Sequence, residues 1–301
     1  MAHLFIWPLP ALWIGAPSHF IYWRDMALAL VDLEAYFRRI GYDGPREPTL
    51  ETLRAIVLAH TQAIPFENLN PLLQWPVALD PASLESKLIR DERGGYCYEQ
   101  NSLLKHVLAA LGFSVQSLLA RVLWNIPEDV ITPRSHMVLL ITVNDRRYTA
   151  DVGFGTVTPT SPLLLEPETE QQTPHETYRY RESEGQWTLE VRIKDEWRRV
   201  YRFGLEPQHQ PDYEVANWYT STHPNSHFRR SLIVARAAPD RRYTLLNNEF
   251  TTHHRDGRTD RRKLADPVEI RNVLDSTFGL RLAQTAELDS TLERLITPQV
   301  E

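Results

Sequence analysis

The stretch Ser135-His136-Met137-Val138-Leu139-Leu140-Ile141-Thr142-Val143-Asn144-Asp145-Arg146-Arg147-Tyr148-Thr149-Ala150-Asp151 sets two apolar, β-branched runs, 137–143 and 147–151, on either side of Asn144-Asp145. Asn-Asp between two such runs is a tight-turn signal, so the spacing predicts an antiparallel hairpin. Residues near the open end of a hairpin face one another, which brings His136 and Asp151 together. Taken singly, His136 reads as a core or strand-edge histidine and Asp151 as a turn cap. An acidic side chain in a mostly apolar stretch is nevertheless costly to bury without a partner.

Upstream lies the chain's single cysteine, in Arg93-Gly94-Gly95-Tyr96-Cys97-Tyr98-Glu99-Gln100-Asn101. Two glycines permit a tight turn, and the residues from Cys97 to 110 read as a helix closed by Gly112. A thiol in the first turn of a helix feels the positive end of its dipole, which favours thiolate. A free cysteine is equally at home as a small buried hydrophobe, and the local sequence leaves both readings open. A cysteine nucleophile needs a base, and the base an orienting group. His136 and Asp151 meet that need: the carboxylate favours imidazolium, and imidazolium favours thiolate.

Outward from these segments, residues 26–112 read as mostly helical and carry Cys97. Residues 113–212 read as short antiparallel strands carrying His136 and Asp151, the pattern of a sheet or barrel. Residues 213–301 mix helices and strands. Residues 159–174 read as an ordered surface loop and 255–263 as a charge-rich turn. Residues 1–25 differ in texture, rich in Trp and Phe with Pro8, Pro10 and Pro17, and without Lys or Arg before Arg24. They lack the basic region of a signal peptide and the unbroken apolar span of a membrane helix. The expectation is that they are a non-native extension and that Met26 is the true start. The 301 residues carry a net charge of -6, which gives no reason to expect nucleic acid or an anionic membrane as partner. One cysteine excludes an intramolecular disulfide and a multi-cysteine zinc site, and fits a reducing, cytoplasmic setting. His223 and His227 have Pro224 between them and no suitably placed carboxylate, and His253-His254 sits in a polar hairpin beside Arg255, so no metal is expected.

RGGYCYEQN, SHMVLL and ADVGFG, in this order and at this spacing, resemble the arylamine N-acetyltransferase family, with further matches at residues 64–69 and 218–224. The resemblance runs from about residue 31 to the C-terminus. It implies an α+β fold with three parts: an N-terminal helical bundle, a central antiparallel β-barrel and a C-terminal α/β lid around a cysteine-protease-like Cys-His-Asp core. It also implies ping-pong transfer of an acetyl group from acetyl-CoA, through a thioester on Cys97, to an arylamine or hydrazine, a xenobiotic-metabolising activity. Acetyl-CoA is then a cosubstrate and no cofactor is bound permanently. Carried over by position, Cys97 is nucleophile, His136 base and Asp151 its orienter. Thr132, Ser135, Gly153 and Gly155 fall at CoA-contacting positions, and Phe66, Phe154 and Phe228 at positions lining the acceptor pocket. Glu67 and Arg93 fall at positions that pair near the site in a structural role. The chain departs from the pattern at Ser135, where threonine is commoner, and at Pro133, which has no N–H to donate. A macrolactam-forming amide synthase, a papain- or transglutaminase-like thiol hydrolase and a catalytically silent binding protein are the competing readings.

Overall fold

Asp32 and Thr49 start the first two helices by accepting the backbone N–H groups of Ala35 (2.9 Å) and Thr52 (3.2 Å). The computed structural model describes residues 31–282 and 285–296. The expectations for residues 1–25 and for a start at Met26 lie outside that range. Helix α1 spans Leu33–Ile40 and ends at Gly41, whose φ of 65° is the left-handed cap. Helix α2 spans Leu50–Ala63. Strand β1, Phe66–Glu67, and the short helix α3, Leu69–Leu72, follow. Helix α4, Pro81–Glu85, runs into a single π-helical turn, Ser86–Arg90. Helix α5 spans Cys97–Ala110, as its sequence predicts. Leu103, Leu104, Val107 and Leu108 of α5 and Leu53, Ile56 and Val57 of α2 belong to one core, all fully buried. Each such side chain stabilises the fold by about 1.5–3 kcal/mol relative to exposure.

The second part is an eight-stranded antiparallel sheet. Its long strands are β2 (Ser114–Val122), β3 (Arg134–Val143), β4 (Arg146–Ala150), β7 (Thr177–Ser183), β8 (Gln186–Ile193) and β9 (Glu196–Phe203). The segment 159–174, expected as a loop, contributes two-residue edge strands β5 (Leu163–Leu164) and β6 (Gln171–Gln172). The order is β5-β4-β3-β2-β9-β8-β7-β6. The two edges meet through one side chain. The Gln171 amide accepts from Leu164 N–H (2.7 Å) and donates to Leu164 C=O (2.9 Å), as a neighbouring peptide would. The sheet is thereby nearly closed, which leaves little unpaired edge.

Helix α6, Gln210–Thr222, leads to a second sheet of β10 (Ile233–Ala238), β11 (Arg241–Leu246), β12 (Glu249–His254) and β13 (Thr259–Lys263), then α7 (Pro267–Ser276) and α8 (Ala286–Ile296). The order is β1-β10-β11-β12-β13, so β1 from the helical region forms its inner edge. Residues 255–263 correct the sequence reading: only the tip is a turn, and the rest is β13. Every residue of β13 is exposed, so it lacks the alternation that marks a half-buried strand. Among the described residues no helix is long and apolar enough to cross a membrane.

Candidate active site

The site is assembled where α5 begins. A Cβ on Gly94 would fall 2.2 Å from the Pro65 carbonyl oxygen, so the chain can pass β1 there only without a side chain. The Gly95 carbonyl accepts from Glu67 N–H (3.1 Å) and Gly95 N–H donates to Pro65 (3.3 Å). Gln100 holds the same turn from the helix: its amide donates to Pro65 C=O (2.8 Å) and Gly95 C=O (3.2 Å). The Gln100 oxygen meets His60 Nε2 at 2.7 Å, and His60 Nδ1 meets the Tyr36 hydroxyl at 2.8 Å. Burial lowers the His60 pKa to about 4. The ring is therefore neutral, with its proton on Nε2 facing the Gln100 oxygen, and Tyr36 donates to Nδ1.

Four charges lie beneath this turn. Arg93 donates to Glu67 (2.7 Å), Lys87 to Glu99 (2.6 Å), and Lys87 stands 3.5 Å from Glu67. Glu67 also accepts from Leu69 N–H (2.6 Å), and Glu99 from Tyr96 N–H (3.0 Å). Burial pushes the Glu67 carboxyl up, but Lys87 and Arg93 outweigh it and hold it ionised. The Glu67–Arg93 pair is thus formed as the motif implies, but as half of a buried quartet.

Cys97, 4% exposed, points its Sγ at the Ser135 carbonyl, 3.8 Å away. That carbonyl is available because β3 bulges there. Ala120 pairs with His136 and Arg121 with Arg134, leaving Ser135 without a ladder partner. His136 and Asp151 come together as the hairpin predicts, with Nε2 to Oδ2 at 2.7 Å and both buried. The ladder itself stops at Leu139–Ala150, and Asn101 of α5 fills the split beyond. Its amide donates to Met137 C=O (2.8 Å) and Asp151 Oδ1 (3.0 Å), and its oxygen accepts from Val152 N–H (3.0 Å). Gly153 N–H also donates to Asp151 Oδ1 (2.9 Å). Burial pulls the His136 pKa down, but Asp151, and then Cys97, push it up to about 10. With Nε2 on Asp151, Nδ1 is the nitrogen left for the thiol. The His136 ring is wedged between Phe154 (centroids 5.2 Å) and Tyr201 (5.0 Å).

A cavity of about 430 Å³ opens over Cys97 and His136. Phe66, Phe154, Phe228, Thr132, Ser135 and Gly153 all border it. Phe66 and Phe228 face each other at 6.2 Å. Thr132 spends its hydroxyl on Val122 C=O (2.8 Å). A Cβ on Gly153 would meet Cys97 Cα at 2.7 Å, so this glycine lets the loop after β4 lie on the first turn of α5. Gly155 sits behind the wall: its φ of 92° requires glycine, and it backs onto the Phe66 ring. Among the described residues no group of three or more His, Cys, Asp or Glu is placed to hold a metal. The sequence reading missed Asn101, Gln100, His60, Lys87 and Glu99. Asn101 alone carried a local signal, standing four residues after Cys97 and so on the same helix face.

A family model described as N-acetyltransferase matches residues 49–287. An arylamine N-acetyltransferase of Mycobacterium tuberculosis is 40% identical over 276 residues, covering 89% of this chain and 97% of that one. One from Mycolicibacterium smegmatis is 44% identical over 263 residues, covering 86% and 95%. The solved structure of Mycobacterium marinum arylamine N-acetyltransferase in complex with CoA superposes with a TM-score of 0.86 at 40% identity, covering 88% of this chain and 100% of that one.

Proposed function

We propose that this chain, which belongs to the arylamine N-acetyltransferase family, moves the acetyl group of acetyl-CoA to arylamines and hydrazines by way of a thioester on Cys97. The observation that carries the proposal is the buried His136–Asp151 pair beside Cys97, at the floor of an aromatic-walled cavity. Asp151 orients His136 and keeps it protonated, and the imidazolium stabilises the Cys97 thiolate. The thiolate attacks the acetyl carbonyl, and the Cys97 N–H at the start of α5 is placed to stabilise the oxyanion. The C–S bond to CoA breaks, and the departing thiolate takes the proton from His136. In the second half, the amine nitrogen attacks the thioester, His136 takes a proton from it, and the amide leaves as Cys97 regains its thiolate. Thioester exchange changes little in bond energy, while amide formation runs downhill.

Phe66, Phe154 and Phe228 form the apolar wall a flat aromatic amine needs. Thr132, Ser135 and Gly153 line the donor side, with Gly155 setting the loop behind them. Because Pro133 has no N–H and Thr132 is engaged with Val122, the donor's hold here rests on shape more than on hydrogen bonds from this strand. The single thiol fits a cytoplasmic enzyme. Initial rates with acetyl-CoA and an aniline varied together test the proposal. Parallel double-reciprocal lines, with CoA released before the amine binds, are expected; intersecting lines contradict the thioester route.

A further inference from the structure

The rungs of the β3–β4 hairpin follow one register: Ile141 faces Tyr148, Leu140 faces Thr149 and Leu139 faces Ala150. Continued toward the open end, that register sets Val138 opposite Asp151 and Met137 opposite Val152. The ladder stops before either rung. The Asn101 side chain stands between the two residues of the second, donating to Met137 C=O (2.8 Å) and accepting from Val152 N–H (3.0 Å). One side-chain amide thus takes the place a strand peptide would hold. It belongs to α5, four residues after Cys97 and on the same helix face. Met137 presents an acceptor to it and Val152 a donor, so its oxygen faces Val152 and its NH2 faces Met137. The second N–H of that group meets Asp151 Oδ1 at 3.0 Å. Gly153 N–H donates to the same oxygen (2.9 Å). Two donors therefore hold Oδ1, and Oδ2 is the oxygen turned to His136 Nε2, at 2.7 Å.

We propose that Asn101 is a positioning residue of this site: a wedge that keeps the hairpin split and presents a single carboxylate oxygen to His136. Its effect on rate rests on the thioester reading above; its effect on His136 does not. Without the wedge the missing rungs can close, because a buried C=O and N–H left unpaired are costly. Closure moves Asp151, whose backbone lies in the first of those rungs, and lengthens the contact from Oδ2 to Nε2. His136 then holds its proton less well. Asn101, Met137, Asp151 and Val152 are all buried, so water does not stand in for the lost amide. The space also admits one size of wedge, since a Cβ on Gly153 would already stand 3.1 Å from Asn101 Nδ2. The other ionisable groups facing the pair are Cys97 on α5, Tyr201 on β9, and Tyr178 and Tyr180 on β7. Burial pushes the three tyrosines up, so they stay neutral where His136 titrates, at about 10.

The test uses the full chain and two readouts: single-turnover acetylation by acetyl-CoA against pH, and the titration of the His136 ring by NMR, which needs no donor. Asn101→Leu keeps the shape of the side chain and removes its hydrogen bonds. The acetylation rate at pH 7 should fall about 100-fold, as for a displacement of about 1 Å, with the KM for acetyl-CoA within about 2-fold of wild type. The alkaline limb of the rate and the ring titration should both move down by about one pH unit, as for the loss of one charged hydrogen bond. Asn101→Asp loses the same two donated bonds, keeps the acceptor for Val152 and adds a carboxyl group beside Asp151. Its rate should fall while its ring titration stays at or above wild type. Asn101→Ser replaces the leucine variant if that chain does not fold, and should shift in the same direction as expected for leucine. A ring titration that stays at wild type in the leucine or serine variant overturns the inference. So does one that moves down alike in Asn101→Asp, since a merely structural asparagine would not separate the two. A wild-type enzyme that acetyl-CoA does not acetylate overturns the thioester reading, and the ring titration alone then decides the role of Asn101.

Discussion

Gly153→Ala is the smallest change that separates the helix carrying Cys97 from the loop carrying Asp151. The added methyl would stand 2.7 Å from Cys97 Cα and 3.1 Å from both the Cys97 carbonyl oxygen and Asn101 Nδ2. Carbon atoms rest at about 3.5–4.0 Å, so the loop and the helix must part by about 1 Å. Two of the three neighbours are backbone atoms, and no rotamer change relieves them. Overpacking of this kind costs about 1–3 kcal/mol. The catalytic cost is larger, because the shift opens the distance between Cys97 and the pair formed by His136 and Asp151. A displacement of about 1 Å lowers rate by about 100-fold. The assay is single-turnover acetylation of the enzyme by acetyl-CoA, read as CoA released, beside a urea midpoint for each protein. Gly155→Ala is the control. It carries a backbone cost at φ 92° but meets only the Phe66 ring, at 3.3 Å, and should lose stability with less than a tenth of the rate effect. A Gly153→Ala enzyme that acetylates at the wild-type rate refutes the claim that this contact sets the site's geometry.

Asp151→Asn keeps the size of the side chain but removes the charge that protonates His136; the acetylation rate should fall by about 10⁴ with the fold retained, as circular dichroism and rate together will show. The His136 pKa of about 10 makes a pH prediction. Above about pH 6.5 the native state keeps a proton that the unfolded chain has lost, so the pair's contribution is complete below that pH and is lost as pH rises through about 10. Urea stability should decline from pH 7 to 10 by up to about 1.4 kcal/mol per unit. Adding Asp151→Asn should flatten the slope, and a slope that survives it counts against the pair. Glu67→Gln leaves Arg93 and Lys87 with Glu99 as the single anion of the buried group and should destabilise by about 3 kcal/mol; a urea midpoint equal to wild type would show that the quartet is not a stabilising unit.

Much of this architecture was written locally. The α5 segment closes at Gly112, and the hairpin turns at Asn144-Asp145, because each depends on neighbours within a few residues. Cys97, His136 and Asp151 were legible because a hairpin and one helix start carry all three. The supporting residues were not, because their partners are remote in sequence. Gln100 faces His60 and the Pro65 carbonyl across residues 35 to 40 positions away. Lys87 reaches Glu99 only because the chain turns at Gly94 and Gly95. Strand β13, Thr-Asp-Arg-Arg-Lys, is exposed along its whole length, and its ladder with β12, not its pattern, makes it a strand. The roles of the glycines also shifted with the geometry. Gly153 and Gly155, which the resemblance assigns to CoA contact, also have a role within this chain: a Cβ on them would meet Cys97 and Phe66.

The central claim is that Cys97 carries the acetyl group between donor and amine. Intact mass of the enzyme after acetyl-CoA, followed by peptide mapping, measures this directly. One acetyl group is expected, on the peptide containing Cys97, absent in Cys97→Ala and discharged when an aniline is added. An unmodified enzyme that still acetylates the aniline, or an acetyl group mapped to any other residue, would contradict it.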